Sequence, residues 1–217
     1  MNRRNFIKNS SLAAGIIYAP AILRGIQPDE TILGHNNKRY RINTKWSQVS
    51  AAQYPVKDCH EMVQDKLGRI ILLTNETKNN VIIYDKSGKL ISSWGHEYPG
   101  AHGLTLFNEN GDDVLFICDN NRHQVIKTTI DGKVLMTLDY PKETGQYTKA
   151  DEYIPTETII APNGDIYVAD GYGKDFVIQY DSKGKYIRHF AGRGEGDKYI
   201  VNAHGICIDN REKIILP

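Results

Sequence analysis

From about residue 56 onward the chain alternates between short apolar runs and polar turn pairs. Ile70-Ile71-Leu72-Leu73, Val81-Ile82-Ile83-Tyr84, Val114-Leu115-Phe116-Ile117, Ile166-Tyr167-Val168-Ala169 and Phe176-Val177-Ile178 are runs of this kind. They are rich in Ile, Val, Leu and Tyr, which favour strands. Ser87-Gly88, Asp131-Gly132, Asn163-Gly164 and Lys183-Gly184 part them. Such pairs suit tight hairpin turns, where glycine tolerates positive φ. No stretch in this region carries a helical period. The pattern predicts an all-β fold of hairpin-linked strands.

The runs fall into four similar copies, beginning near His60, His102, Pro155 and His204. Each complete copy holds four strand-like segments, the unit of a propeller blade. The fold class is therefore a β-propeller of four-stranded antiparallel blades. Three full copies and the first strands of a fourth are present, about three and a half blades. Propellers close with roughly four to eight blades, so the expectation is a chain belonging to a longer protein. Two polar inserts, around Tyr140 to Tyr153 and Gly192 to Ala203, fall between blades and are expected to line one mouth of the channel.

The first residues do not fit this pattern. Arg3-Arg4 precedes Asn5-Phe6-Ile7-Lys8, and a weak apolar run follows from Leu12 to Leu23. A basic start, a short apolar stretch and small residues near Ala19 resemble a twin-arginine export signal. The run is too short to span a bilayer comfortably. The expected organisation is 1-24 signal, 25-55 linker with an outer strand over about 38 to 54, and 56-217 partial propeller. Export would place the protein in the periplasm or outside the cell, with no transmembrane span beyond the signal.

Composition narrows the function classes. The 217 residues carry a net charge of +1, with both signs mixed along the chain. A nucleic-acid surface would concentrate basic charge, so no nucleic-acid partner is expected. Cys59, Cys118 and Cys207 are odd in number and widely spaced. They show no disulfide framework and no metal-binding pair, and read as small buried strand residues. Asp119, Asp170 and Asp209 recur near strand ends and read as turn caps.

Particular residues sharpen the picture. Ala101-His102-Gly103-Leu104 and Ala203-His204-Gly205-Ile206 open copies two and four. Ala169-Asp170-Gly171-Tyr172-Gly173 closes an apolar run in copy three. These motifs resemble the NHL-repeat family, and within it the peptidyl-α-hydroxyglycine α-amidating lyases. The resemblance covers roughly residues 56 to 217. It implies six blades, a zinc ion held in the channel by histidines from every second blade, and a tyrosine base. Cleavage of a peptidyl-hydroxyglycine to a peptide amide and glyoxylate is the activity it implies. On this resemblance His102 and His204 are zinc ligands, Tyr172 is the catalytic base, and the main-chain carbonyl of Leu104 is a calcium ligand.

General chemistry is compatible with those roles. Imidazoles from alternate blades can share one zinc ion, and a tyrosine near a cation can accept a proton. There are departures too. The third histidine would begin a sixth copy. Thr74-Asn75-Glu76-Thr77 has no arginine where the resemblance calls for one, and the other substrate arginine would follow Pro217. Gly173 stands where animal enzymes carry cysteine.

Two readings of function stand side by side, ahead of a third, another propeller hydrolase such as a lactonase, which would call for an acidic calcium site that the sequence does not show. One is an exported zinc-dependent lyase acting on a small molecule or peptide. The other is a non-catalytic extracytoplasmic propeller that binds a protein or carbohydrate ligand. Replacing Arg3 and Arg4 with lysine tests the first segment by itself. The expected outcome is a precursor retained in the cytoplasm, read by fractionation; unchanged export would remove the twin-arginine assignment.

Overall fold

A computed structural model describes residues 32–209, 211 and 213–216. The signal assigned to residues 1-24, including Arg3 and Arg4, lies outside the described residues. The chain divides into two compact units, Met1–Thr44 and Lys45–Pro217. In the first, strands β1 (Ile32–His35) and β2 (Lys38–Arg41) form an antiparallel hairpin.

The second unit carries the blades. The first blade is β3 (Glu61–Gln64), β4 (Ile70–Leu73), β5 (Val81–Tyr84) and β6 (Leu90–Trp94). The second is β7 (Ala101–Glu109), β8 (Asp112–Asp119), β9 (Gln124–Thr129) and β10 (Val134–Leu138). The third is β11 (Glu157–Ile160), β12 (Ile166–Ala169), β13 (Phe176–Tyr180) and β14 (Tyr186–Ala191). Each is a four-stranded antiparallel sheet with its strands in sequence order. A two-stranded sheet of β15 (Cys207–Ile208) and β16 (Ile214–Ile215) follows. The all-β, partial-propeller expectation is borne out.

The middle strands explain why the blades stack. Side chains alternate between the two faces of a strand. On β8, Leu115 and Ile117 enter a core shared with Ile71, Val81 and Ile83 of the first blade. Val114, Phe116 and Cys118 enter a second core with Ile166, Val168 and Ile178 of the third. Blade two thus buries both faces, which is why its sequence is a continuous apolar run rather than an alternating one. The first strands meet as a consequence: β7 packs against both β3 and β11.

Each blade ends in the same irregularity. The register shifts between the third and fourth strands, leaving Ile91, Leu135 and Ile187 without opposite partners. All three are exposed apolar residues. A bulge of this kind twists the outer strand and blunts its edge.

Two expectations change in detail. The insert from Tyr140 to Tyr153 is not merely a polar loop. It forms two 3₁₀ turns, Lys142–Thr144 and Ala150–Glu152, and sends Tyr147 and Tyr153 into the core between blades two and three. Of the cysteines only Cys118 is buried; Cys59 and Cys207 are exposed, and all three are free. Trp46 packs on Tyr84 with ring centroids 5.3 Å apart, and Trp94 donates to the Ile130 carbonyl at 2.9 Å. No helix of the described residues is long and apolar enough to cross a membrane.

The two faces of β8 and the outward bulges predict different sensitivities. Ile117→Ala, at a fully buried position, should cost about 2–5 kcal/mol. Ile187→Ala, on the exposed bulge, should stay within about 0.5 kcal/mol. Urea unfolding of both variants checks this; equal losses would contradict the blade-stacking core.

Candidate active site

His102 sits in a bulge. Ala101 pairs with Asp119 and Leu104 with Ile117, so His102 and Gly103 together face a single partner position. The bulge turns His102 out of the ladder towards the third blade, where its Nδ1 lies 2.9 Å from the Thr156 carbonyl. That carbonyl can only accept, so Nδ1 carries the proton and Nε2 keeps its lone pair. Gly103 makes the approach possible, since a Cβ there would stand 2.4 Å from the same carbonyl oxygen. Burial holds the His102 ring below its usual protonation range, against the opposing effect of the Thr156 bond.

Tyr172 comes from the loop after β12. Buried Asp170 shapes that loop by accepting from the Lys174 and Ile154 amides and the Tyr147 hydroxyl, each at 2.7 Å. Burial raises the Asp170 carboxyl to about 6. Gly171 passes so close to the next segment that a Cβ would lie 1.9 Å from the Ala203 carbonyl oxygen. His204 follows directly, in the segment before β15. The insert leading to it is tied down by Asp175, which accepts from the Asn202 amide at 2.7 Å and from Arg193 Nε at 2.6 Å.

The three predicted side chains meet. Tyr172 Oη is 3.4 Å from His102 Nε2 and 3.3 Å from His204 Nδ1. The His102 and His204 ring centroids are 5.7 Å apart. Two imidazoles and a phenol, one from each of three successive blades, therefore share one small space. His60 also reaches it, but stacks face to face on His102 at 4.1 Å with an interplanar angle of 22°. Stacked rings do not direct their lone pairs at one point. Among the described residues no group of three His, Cys, Asp or Glu side chains is arranged to hold a metal ion. Imidazoles are donors that zinc accepts, and the His102 tautomer is fixed by a carbonyl, the kind of outer support that metal-bound histidines have.

Leu104 lies beside a second polar group. Its amide donates to Glu61 Oε2 at 2.7 Å. Glu157 accepts from the Thr158 amide at 2.8 Å, and the Thr105 hydroxyl, 3.1 Å away, has its shorter contact at the Thr158 carbonyl, 2.8 Å. Burial and the neighbouring Glu61 push the Glu157 carboxyl well above the usual carboxylate range. These residues line a cleft of about 430 Å³ that His204 also borders. Sequence reading missed Glu61, Thr156 and Glu157. The signal was there in Pro155-Thr156-Glu157-Thr158, a polar run at the start of an inner strand, where burial demands partners.

Asp119 and Asp209 cap turns, accepting from the Arg122 and Lys213 amides at 2.8 and 2.9 Å. His123 Nδ1 lies 2.7 Å from the Tyr153 carbonyl oxygen, and His96 Nδ1 lies 2.8 Å from that of Thr77.

No family model matches the chain. The chain is 34% identical over 194 residues to a probable peptidyl-alpha-hydroxyglycine alpha-amidating lyase of Caenorhabditis elegans, covering 82% of this chain and 50% of that protein. It is 33% identical over 152 residues to peptidyl-alpha-hydroxyglycine alpha-amidating lyase 1 of Drosophila melanogaster, covering 68% and 25%. The chain thus spans half or less of the curated relatives it matches. The resemblance to the amidating lyases is borne out. A crystal structure of virginiamycin B lyase from Staphylococcus aureus superposes with a TM-score of 0.53 at 14% identity, over 73% of this chain and 48% of that one. At that identity the likeness speaks for the propeller fold alone.

The raised Asp170 carboxyl predicts a pH dependence. Below about pH 4 both folded and unfolded chains hold this proton. As pH rises towards 6 the unfolded chain releases it while the folded one keeps it, so stability falls. The loss is up to about 1.4 kcal/mol for each pH unit in that window. Thermal melts from pH 4 to 7 should show this slope in the wild type and a shallower one in Asp170→Asn, where the raised Glu157 carboxyl still contributes in the same sense. An unchanged slope in the variant would assign the effect to another group.

Proposed function

We propose that the chain forms part of a lyase-like propeller that cleaves peptidyl-α-hydroxyglycine, with His102 and His204 as zinc ligands and Tyr172 as base. The observation that carries the reading is the His102–Tyr172–His204 chain, with contacts of 3.4 and 3.3 Å at the meeting of three blades. Similarity to the two amidating lyases above points the same way.

The division of labour follows from the residues. His102, neutral and fixed through Nδ1, offers Nε2 as a donor. His204 offers its ring from the next segment, 4.6 Å from the Tyr172 ring and 5.7 Å from that of His102, and the remaining donors would lie outside the described residues. Zinc, when bound, would supply Lewis-acid polarisation of a substrate oxygen. Tyr172 Oη lies within 3.4 Å of both imidazoles, and it is the oxygen that would take the proton from the α-hydroxyl. The oxygen electron pair then forms the carbonyl of glyoxylate as the C–N bond breaks. The departing nitrogen takes up a proton and leaves as the peptide amide. Calcium is a second proposal: the main-chain carbonyl of Leu104 would be a ligand, beside the carboxyl oxygens of Glu61 in the same cleft, and calcium prefers oxygen ligands. An NHL-type ring exported by the twin-arginine route completes the reading.

Metal analysis of the full-length protein, purified without chelators, tests it. Near-stoichiometric zinc is expected, falling to a small fraction in His102→Ala and His204→Ala and staying unchanged in His123→Ala. Tyr172→Phe should keep the zinc and lose at least about 10²-fold in glyoxylate release, the scale of general-base catalysis. A wild type without bound metal would overturn the lyase reading in favour of a binding propeller.

A further inference from the structure

We infer that Thr156 is the positioning residue that sets His102, Tyr172 and His204 against one another. The inference rests on the roles proposed for those three residues, and adds what holds them in register.

Thr156 has no exposed surface, and each of its polar groups crosses to a different part of the site. Its carbonyl oxygen accepts from His102 Nδ1 at 2.9 Å. Its hydroxyl donates to the Ala203 carbonyl at 2.7 Å, one residue before His204. The same hydroxyl accepts from the Gly171 amide at 3.3 Å, one residue before Tyr172. Its own amide donates to the Ala169 carbonyl at 2.9 Å and ties it to β12. The hydroxyl is also 3.1 Å from that oxygen, but its one proton has the shorter contact at Ala203. One residue therefore links blade two, its own blade and the segment that opens the fourth.

The neighbours are cut to fit this residue. A Cβ on Gly103 would meet the Thr156 carbonyl oxygen at 2.4 Å, and one on Gly171 would meet its Oγ1 at 2.8 Å. His-Gly and Gly-Tyr are thus the two halves of a space shaped around threonine. An ordinary core threonine need not do this. Thr128 is equally buried, and its hydroxyl has no partner. Only a short side chain with a donor and an acceptor on one atom can serve both Ala203 and Gly171, so serine should substitute and valine should not.

The test uses the full-length protein in Thr156→Val and Thr156→Ser forms, with Thr144→Val as a control for losing a buried hydroxyl bond elsewhere. Two readouts are taken: ring-to-ring nuclear Overhauser contacts in the metal-free protein, and zinc affinity by chelator competition. In the wild type the Tyr172 and His204 rings should be in contact, as should those of His102 and Tyr172. Thr156→Val should lose the Tyr172–His204 contact and bind zinc about 10–100-fold more weakly, the range for lost outer support. Thr156→Ser should restore both, and Thr144→Val should change neither. If Thr156→Val fails to fold, Thr156→Cys keeps the shape with only a weak donor and is read the same way. Retained ring contacts in the folded Val or Cys form would overturn the inference, whatever the zinc result. A wild type that takes up no zinc would instead overturn the proposed function, while the ring contacts still decide the role of Thr156.

Discussion

Each blade of this protein has two apolar faces, and neither can be left wet. Leu115 and Ile117 point one way from β8, and Phe116 and Cys118 the other. Burying both requires a sheet on each side, so blades must stack face to face. Stacked sheets with a right-handed twist fan out around an axis. The first strands are then forced together, and β3, β7 and β11 have little room between them. Everything at the candidate site follows from that crowding.

Crowded inner strands would normally be apolar, and here they are not. His102, Thr156, Glu157 and Thr158 all lie buried at or beside the axis. Each such group costs free energy unless it finds a partner. The partners come across blades: Thr156 to His102 and Ala203, Thr105 to the Thr158 carbonyl, Glu61 to the Leu104 amide. Cross-blade hydrogen bonds therefore do two things at once. They satisfy buried polar atoms, and they fix the distance between side chains that no single hairpin could hold together.

The blades were legible because strand runs and turn pairs are local signals. Asn163-Gly164 and Ser87-Gly88 mark hairpins without reference to the rest of the chain. His102, Tyr172 and His204 were legible as candidates because they stand in Ala-His-Gly and Asp-Gly-Tyr motifs, which carried the resemblance to the amidating lyases. Their supports were not. Thr156 is an unremarked threonine until β7 and β11 lie side by side, and the Tyr147 and Tyr153 rings belong to an insert whose composition reads as loop. The stacking of His60 on His102 was equally hidden, because it depends on how two blades meet rather than on either sequence segment.

A propeller fold alone says little about chemistry, since it hosts unrelated activities. What separates this site from a generic channel is the cost it carries. Gly103 and Gly171 give up side-chain packing so that backbones can approach within contact of Thr156. Asp170 is held buried with its carboxyl raised to about 6, where it satisfies two amides and the Tyr147 hydroxyl. Together these features fix one phenol beside two imidazoles with a defined tautomer on the buried one. Concessions of this kind gather where a protein needs a geometry that stability alone would not select, and here they gather around Tyr172.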